Sequence, residues 1–246
     1  MLLFLVAPLI VVAGISFNEG SILKFPPIGF SFRWYNKVFQ KSHIIRALRV
    51  SIILSSFTSL VTTSIGLLTS YILIRYRFKR RELLNLLFLA PLLLPRVITG
   101  MSLLIFSSKI NLMGSIYILA LAHLIITLPF SLRIISSALP NLDIAYEEAA
   151  MLLGASRIYT FYKIIIPLLK PAIISSMLFV FVASFSDTGA SIFLTGQYTE
   201  TVSVALFRYF DTGQDPGIAA LSMVFICLAI LVVSIIGKLV KLEITM

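Results

Sequence analysis

Six long stretches of this sequence are apolar without alternation, and that restricts the chain to elements whose backbone hydrogen bonds close within one segment. They are residues 1–15, 49–74, 83–106, 115–135, 171–194 and 217–236. A helix needs about 20 mostly apolar residues to cross a bilayer, and a spanning strand needs about 10 that alternate between lipid and lumen. None of the six alternates in that way, so helices satisfy the backbone in lipid here. Composition points the same way. The chain is 59% hydrophobic and 12% charged, against about half and a quarter for soluble domains. The expected fold class is all-α: a polytopic membrane protein with six transmembrane helices.

The distribution of Lys and Arg orients those helices. The link at residues 75–81 holds Arg75, Arg77, Lys79, Arg80 and Arg81, a density that marks a cytoplasmic loop. Two helices later Arg133, Arg157, Lys163 and Lys170 fall on the same side, as do Lys238 and Lys241 in the tail. Both termini are then cytoplasmic in a multi-pass protein of the cytoplasmic membrane. The formal charge of +10 is accounted for by these topology signals, so nucleic acid is not an expected partner and membrane lipid is. Residues 16–48 are expected outside although they carry Lys24, Arg33, Lys37, Lys41 and Arg46. Trp34 and Tyr35 suit a loop lying along the membrane surface. The first run lacks the basic start and small-residue cleavage site of a signal peptide, and reads as a spanning helix with a clipped or misassigned start. The division is residues 1–46, first helix and external loop, and residues 47–240, a transmembrane domain with a cytoplasmic loop at 139–170.

Enzyme chemistry is not expected. His43 and His123 lie far apart, no nucleophile–His–acid grouping or metal-ligand spacing is present, and Cys227 stands alone in an apolar run. No G-x-x-x-x-G-K-[ST] phosphate cradle occurs, so if ATP is used another chain binds it.

Loop 139–170 is too polar to span and reads as two short helices around a hinge. Asn141 or Asp143 can cap the first, with Asp143, Glu147 and Glu148 near its positive end. Ala145, Ala149, Leu152 and Leu153 recur at helical spacing, Gly154 is a C-terminal stop, and Ser156 can cap the second helix. Pro167 and Pro171 mark bends back into the membrane. A surface anchor would be basic and bulky. This helix is acidic, with alanines where a partner could approach, and it suits a groove on another protein.

Within the loop Glu148-Ala149-Ala150, three residues, Gly154, nine residues, then Ile164-Ile165-Ile166-Pro167 resembles the E-A-A…G…I-x-L-P signature of ATP-binding-cassette importer permeases, with Ile166 in place of Leu. Residues 27–39, the Leu94-Pro95 pair before Arg96, residues 184–193 and Leu194-Thr195-Gly196 resemble the polyamine-type (spermidine/putrescine) branch. The resemblance implies a type I importer permease fold and a first loop helix seated in a cleft of a separate ATPase. Glu147, Glu148, Ala149, Ala150, Gly154 and Ala155 are then the ATPase-coupling residues. It further implies ATP and Mg bound by that ATPase, with no cofactor in this chain. A second permease subunit, usually a different chain, and an extracytoplasmic substrate-binding protein complete the importer.

Ionisable residues inside spans are costly and mark pathways or partners. Arg96 and Asp187 either line the translocation path or form a structural ion pair, with Arg96 snorkelling as a further option. His123 reads as a group hydrogen-bonding between helices. Polyamine-type relatives tend to carry acids near the positions of Arg96 and Ser186-Asp187. An Arg on the path would repel a polycation at low dielectric, which leaves room for an anionic or zwitterionic cargo. A stand-alone channel or secondary transporter is the alternative function. It would need internal repeats or interrupted helices around a midplane site.

Overall fold

The structure, a computed structural model, describes residues 2–212 and 215–244. The helices are α1 (Leu2–Ser16), α2 (Arg33–Gln40), α3 (Ser42–Arg75), α4 (Arg81–Leu89), α5 (Arg96–Lys109), α6 (Ile116–Ala138), α7 (Ala145–Leu152), α8 (Arg157–Thr160), α9 (Ile166–Leu168), α10 (Lys170–Phe185), α11 (Ser191–Leu194), α12 (Val202–Thr212) and α13 (Gly217–Ile244). The named elements of the described residues are helices, as expected, but the six apolar runs do not become six straight spans. Among the described residues, α3, α6 and α13 are each long and apolar enough to cross a membrane. Two bent pairs reach that length together. Arg81–Leu93 meets Arg96–Lys109 at 100°, and Arg157–Leu168 meets Lys170–Phe185 at 71°. The described side chains of α1, Val6–Ser16, form a shorter apolar helix.

The first bend has a covalent cause. Leu94 is extended (φ −95°, ψ 132°), because the ring of Pro95 excludes the helical region for the residue before it and Pro95 offers no N–H. The run read as residues 83–106 is therefore two helices, with Arg96 the first residue of the second. The run read as 171–194 also stops early. Helix α10 ends at Phe185, and the chain turns through residues 186–190 into α11. At the other end, α3 starts at Ser42 rather than at Arg49, since Arg46 and Arg49 ride on the helix. The segment between α1 and α3, expected to be external, is correspondingly shorter than residues 16–48.

α3, α6 and α10 pack together as the centre of the bundle, and beside bulky contacts such as Phe130 on Phe179 they share a polar, small-residue seam. Ser59 Oγ donates to Met177 O at 2.7 Å, Thr62 meets Thr127 and Thr63 meets Ser176 at 3.2 Å, and Ser176 Oγ donates to Ser131 Oγ at 2.8 Å. Such seams suit helices in lipid, where close backbone approach and interhelical hydrogen bonds replace the hydrophobic drive. Gly66 lies where α3 passes close against α6. A Cβ there would collide with the Ser131 side chain and stand 3.3 Å from its backbone carbonyl carbon. Gly66→Leu is thus expected to force α3 from α6, at about 1–3 kcal/mol for overpacking. A fall of roughly 2–10 °C in the melting temperature of the detergent-solubilised protein would register it. An unchanged melt would refute this packing.

Outside the bundle, residues 17–31 fold back through an Asn18–Phe30 bridge, and the buried Trp34 donates Nε1–H to Asn18 O at 2.8 Å. This segment is docked against the body by α2, where Lys37 Nζ reaches Asp215 Oδ2 at 3.1 Å and Tyr209 donates to Asp215 Oδ1 at 2.7 Å. Burial works to raise the Asp215 carboxyl. Hydrogen bonds from Tyr209, Lys37 and the Gly217 N–H together outweigh it and hold the carboxyl below the usual carboxylate range. A depressed carboxylate stabilises the fold above its unfolded pKa of about 4 and loses that contribution as pH falls through its folded value. Acid unfolding followed by emission of Trp34, the single tryptophan, should therefore steepen below about pH 4. Asp215→Asn should flatten that limb, and an identical acid limb in the variant would contradict the assignment.

Candidate functional site

The loop between α6 and α10 is built from caps and a stop. Asp143 Oδ1 accepts from Ala145 N–H at 2.9 Å, opening α7, whereas Asn141 turns back to donate to Ser137 O at 3.4 Å. At the far end Gly154 has φ +88°. Its N–H bonds Met151 O at 3.0 Å, and the Ala155 N–H bonds Ala150 O at 3.0 Å. That pair of bonds is the Schellman arrangement, which satisfies terminal carbonyls when the residue after the helix takes the left-handed conformation that glycine adopts at least cost. Ser156 Oγ then accepts from Tyr159 N–H at 3.2 Å and starts α8. The expected stop and second cap are both present. The chain leads on to α10 through a π turn at Phe161–Ile165, α9 and the bend before α10.

Helix α7 has two unlike faces. Ala145, Glu148 and Ala149 are exposed, and Leu152 and Leu153 are 87% and 89% exposed. Together they form the apolar face anticipated from their spacing, with one carboxylate beside it. Glu147 points the other way and is 6% exposed. Its Oε2 accepts from Tyr71 Oη at 2.8 Å, and its Oε1 lies 2.7 Å from Arg75 Nε. The Nε–H is not aligned along that line, so the contact is an ion pair rather than a well-directed hydrogen bond. Arg75 Nη2 also donates to Leu142 O at 2.8 Å. The adjacent glutamates therefore have opposite surroundings, which side-chain type alone could not distinguish. Tyr71 and Arg75 were not singled out from the sequence, where Arg75 read only as a topology charge.

The second cluster lies where α5, α6, α10 and α11 meet. Arg96 Nη1 donates to Asp187 Oδ1 at 3.2 Å. Asp187 Oδ2 accepts from the N–H groups of Ala190 and Ser191 and from Ser191 Oγ, at 3.2, 3.1 and 3.0 Å. His123 bridges Ser184 Oγ (2.7 Å from Nδ1) and Ser191 Oγ (2.9 Å from Nε2), joining α6 to α10 and α11 as a helix-bridging group. Asp187 is 2% exposed, while the Arg96 side chain is 40% exposed. The structure thus brings together the two charges expected within the apolar runs, with the acid saturated and the base half open. Among the described residues, no three His, Cys, Asp or Glu side chains converge as a metal site.

Residues 62–242 match the family described as "Binding-protein-dependent transport system inner membrane component". The chain is 31% identical to "Spermidine/putrescine transport system permease protein PotC" of Haemophilus influenzae, over 94% of this chain and 89% of that protein. It is 30% identical to "Sulfate transport system permease protein CysT" of Salmonella typhimurium, over 85% of this chain and 81% of that protein. Its fold is similar to a chain of the bacterial alginate ABC transporter solved in complex with an alginate pentasaccharide-bound periplasmic protein. That match has a TM-score of 0.78 and 18% identity, and it covers 96% of this chain and 88% of the other. With its interrupted apolar helices and its exposed, glycine-stopped loop helix, the chain belongs to the family of binding-protein-dependent transport system inner membrane components.

Proposed function

We propose that this chain is the permease subunit of an ATP-binding-cassette importer and docks a separate ATPase on the exposed face of α7. The observation that carries this reading is the two-faced helix itself. An eight-residue amphipathic helix that leaves Leu152 and Leu153 in the open, closed by the Gly154 turn, is suited to a cleft on another protein. Glu148, Ala149, Ala150, Gly154 and Ala155 supply the docking element, and Arg96 with Asp187 faces the translocation path. ATP and Mg are bound by the ATPase, and this chain performs no catalysis. Its loop and both termini lie on the cytoplasmic side of the cytoplasmic membrane. A second permease of different sequence pairs with it, and an extracytoplasmic binding protein delivers the cargo.

The cargo in this reading is a small organic or anionic solute. Relatives named for spermidine/putrescine and for sulfate match at nearly equal identity, so overall similarity does not select the charge of the cargo. Asp187 speaks against a polycation, because its carboxylate is already saturated by Arg96 and the start of α11.

The test is co-purification followed by reconstitution. An ATPase should copurify in a two-to-two complex whose hydrolysis rises with loaded binding protein. Glu148→Lys and Gly154→Leu should insert normally yet uncouple uptake from hydrolysis. Normal uptake in both variants, or transport by the purified chain alone in liposomes, would overturn the proposal.

A further inference from the structure

Helix α7 is eight residues long, well short of the roughly 12–15 that an isolated helix needs to persist in water. Something outside it must hold its position, and Glu147 is the buried residue on it. Both carboxylate oxygens of Glu147 are taken by the last turn of α3, through Tyr71 at 2.8 Å and Arg75 at 2.7 Å. The same Arg75 grips Leu142 O at 2.8 Å, on the approach to α7. The Tyr71 ring packs on Phe161 with centroids 4.9 Å apart, so the far arm of the loop rests on the same tyrosine.

The covalent routes from α7 into the membrane are softer. Toward α6 the chain passes through a 3-10 turn at Leu139–Asn141. Toward α10 it passes through the Gly154 turn, the π turn at Phe161–Ile165 and the 71° bend. Each of these can absorb displacement as a change of backbone angle, as hinges do. The contact with α3 contains no such joint.

We propose that Tyr71, Arg75 and Glu147 form a clamp that makes α7 and α3 move as one body, so that α3 is the lever by which displacement of the docked helix enters the membrane. This rests on the reading of α7 as an ATPase-docking helix. Glu147 is then a positioning residue that acts through α3, whereas Glu148 faces the partner. The lever has somewhere to deliver the motion. α3 runs 34 residues, about 50 Å at 1.5 Å per residue. Near its other end Ser51 Oγ accepts from the Val202 N–H at 2.8 Å. The next residue, Ser203, donates Oγ–H to Asp187 O at 2.7 Å. One rigid helix therefore joins the clamp to the cluster that holds Arg96.

The test is the ratio of cargo imported to ATP hydrolysed in proteoliposomes containing the full complex and loaded binding protein. Glu147→Gln and Arg75→Gln are expected to lower the ratio roughly tenfold, with an unchanged amount of ATPase in the complex. Tyr71→Phe keeps the packing on Phe161 and should lower it less, by roughly two- to fivefold. The exchange Arg75→Glu with Glu147→Arg should raise the ratio above that of either single variant, a rescue that damage to folding alone would not produce. It should stop short of the native value, because a carboxylate at position 75 cannot donate to Leu142 O. An unchanged ratio in both single variants would overturn the clamp, as would an exchange no better than the worse single variant. Loss of ATPase from the Glu147→Gln complex would also overturn it, by placing Glu147 in the docking contact. Absence of any ATPase from the native complex would instead overturn the docking reading, and needs no variant to detect.

Discussion

Replacing Leu152 and Leu153 together by glutamate is expected to bring uptake to background while leaving the helical fold and membrane insertion as they are. Both side chains are almost fully exposed, 87% and 89%, so within the chain there is little packing to lose. Burying a leucine on a partner is worth about 1.5–3 kcal/mol, and an unpaired carboxylate placed in the same apolar groove costs several more. Two such positions together exceed the roughly 2.7 kcal/mol that separates full from hundredfold-weakened binding. Leu152→Ala and Leu153→Ala singly should give graded losses. The readout is the ATPase retained after purification beside uptake in cells. A double variant that keeps its ATPase and imports normally would show that this face docks nothing.

The features that identify the loop were legible because they are local. A positive-φ glycine after an amphipathic stretch, a serine cap and the offsets from Glu148 to Pro167 all follow from neighbours in sequence; Gly154 and Ser156 took the expected roles of stop and cap, and the apolar α7 face is exposed. The division of labour between Glu147 and Glu148 was not legible. It depends on Tyr71 and Arg75, more than 70 positions away, and a helix of this length carries too few residues to show which side is inward. The broken helices were half legible. Pro95 stands in the sequence, but apolar content measures only length in lipid, and the bend became definite once Leu94 was seen to be extended. Arg96 and Asp187 were each recognisable as costly. That they are partners depends on how α5 meets the turn after α10, which no spacing within either element encodes.

Asp187→Ala should be among the most destabilising single changes in the transmembrane part of the chain. Its carboxylate is buried and accepts from Arg96, two backbone N–H groups and Ser191 Oγ. Truncation leaves a cation without its partner, an effect of about 3–5 kcal/mol for buried pairs, with a discount because the Arg96 side chain is 40% exposed. The orphaned donors at the start of α11 add about 1–3 kcal/mol. Asp187→Asn keeps an acceptor for those donors and should fall between the native protein and the alanine variant. Arg96→Ala should be milder than Asp187→Ala, because three donors still hold the carboxylate in place. The decisive comparison is the double variant. If the two charges are held chiefly by each other, Arg96→Ala with Asp187→Ala should be less destabilised than the sum of the singles by about 1–3 kcal/mol in detergent melts. Strict additivity would mean that Asp187 serves α11 alone. Arg96 would then be a cation that the protein maintains inside the membrane for something other than Asp187.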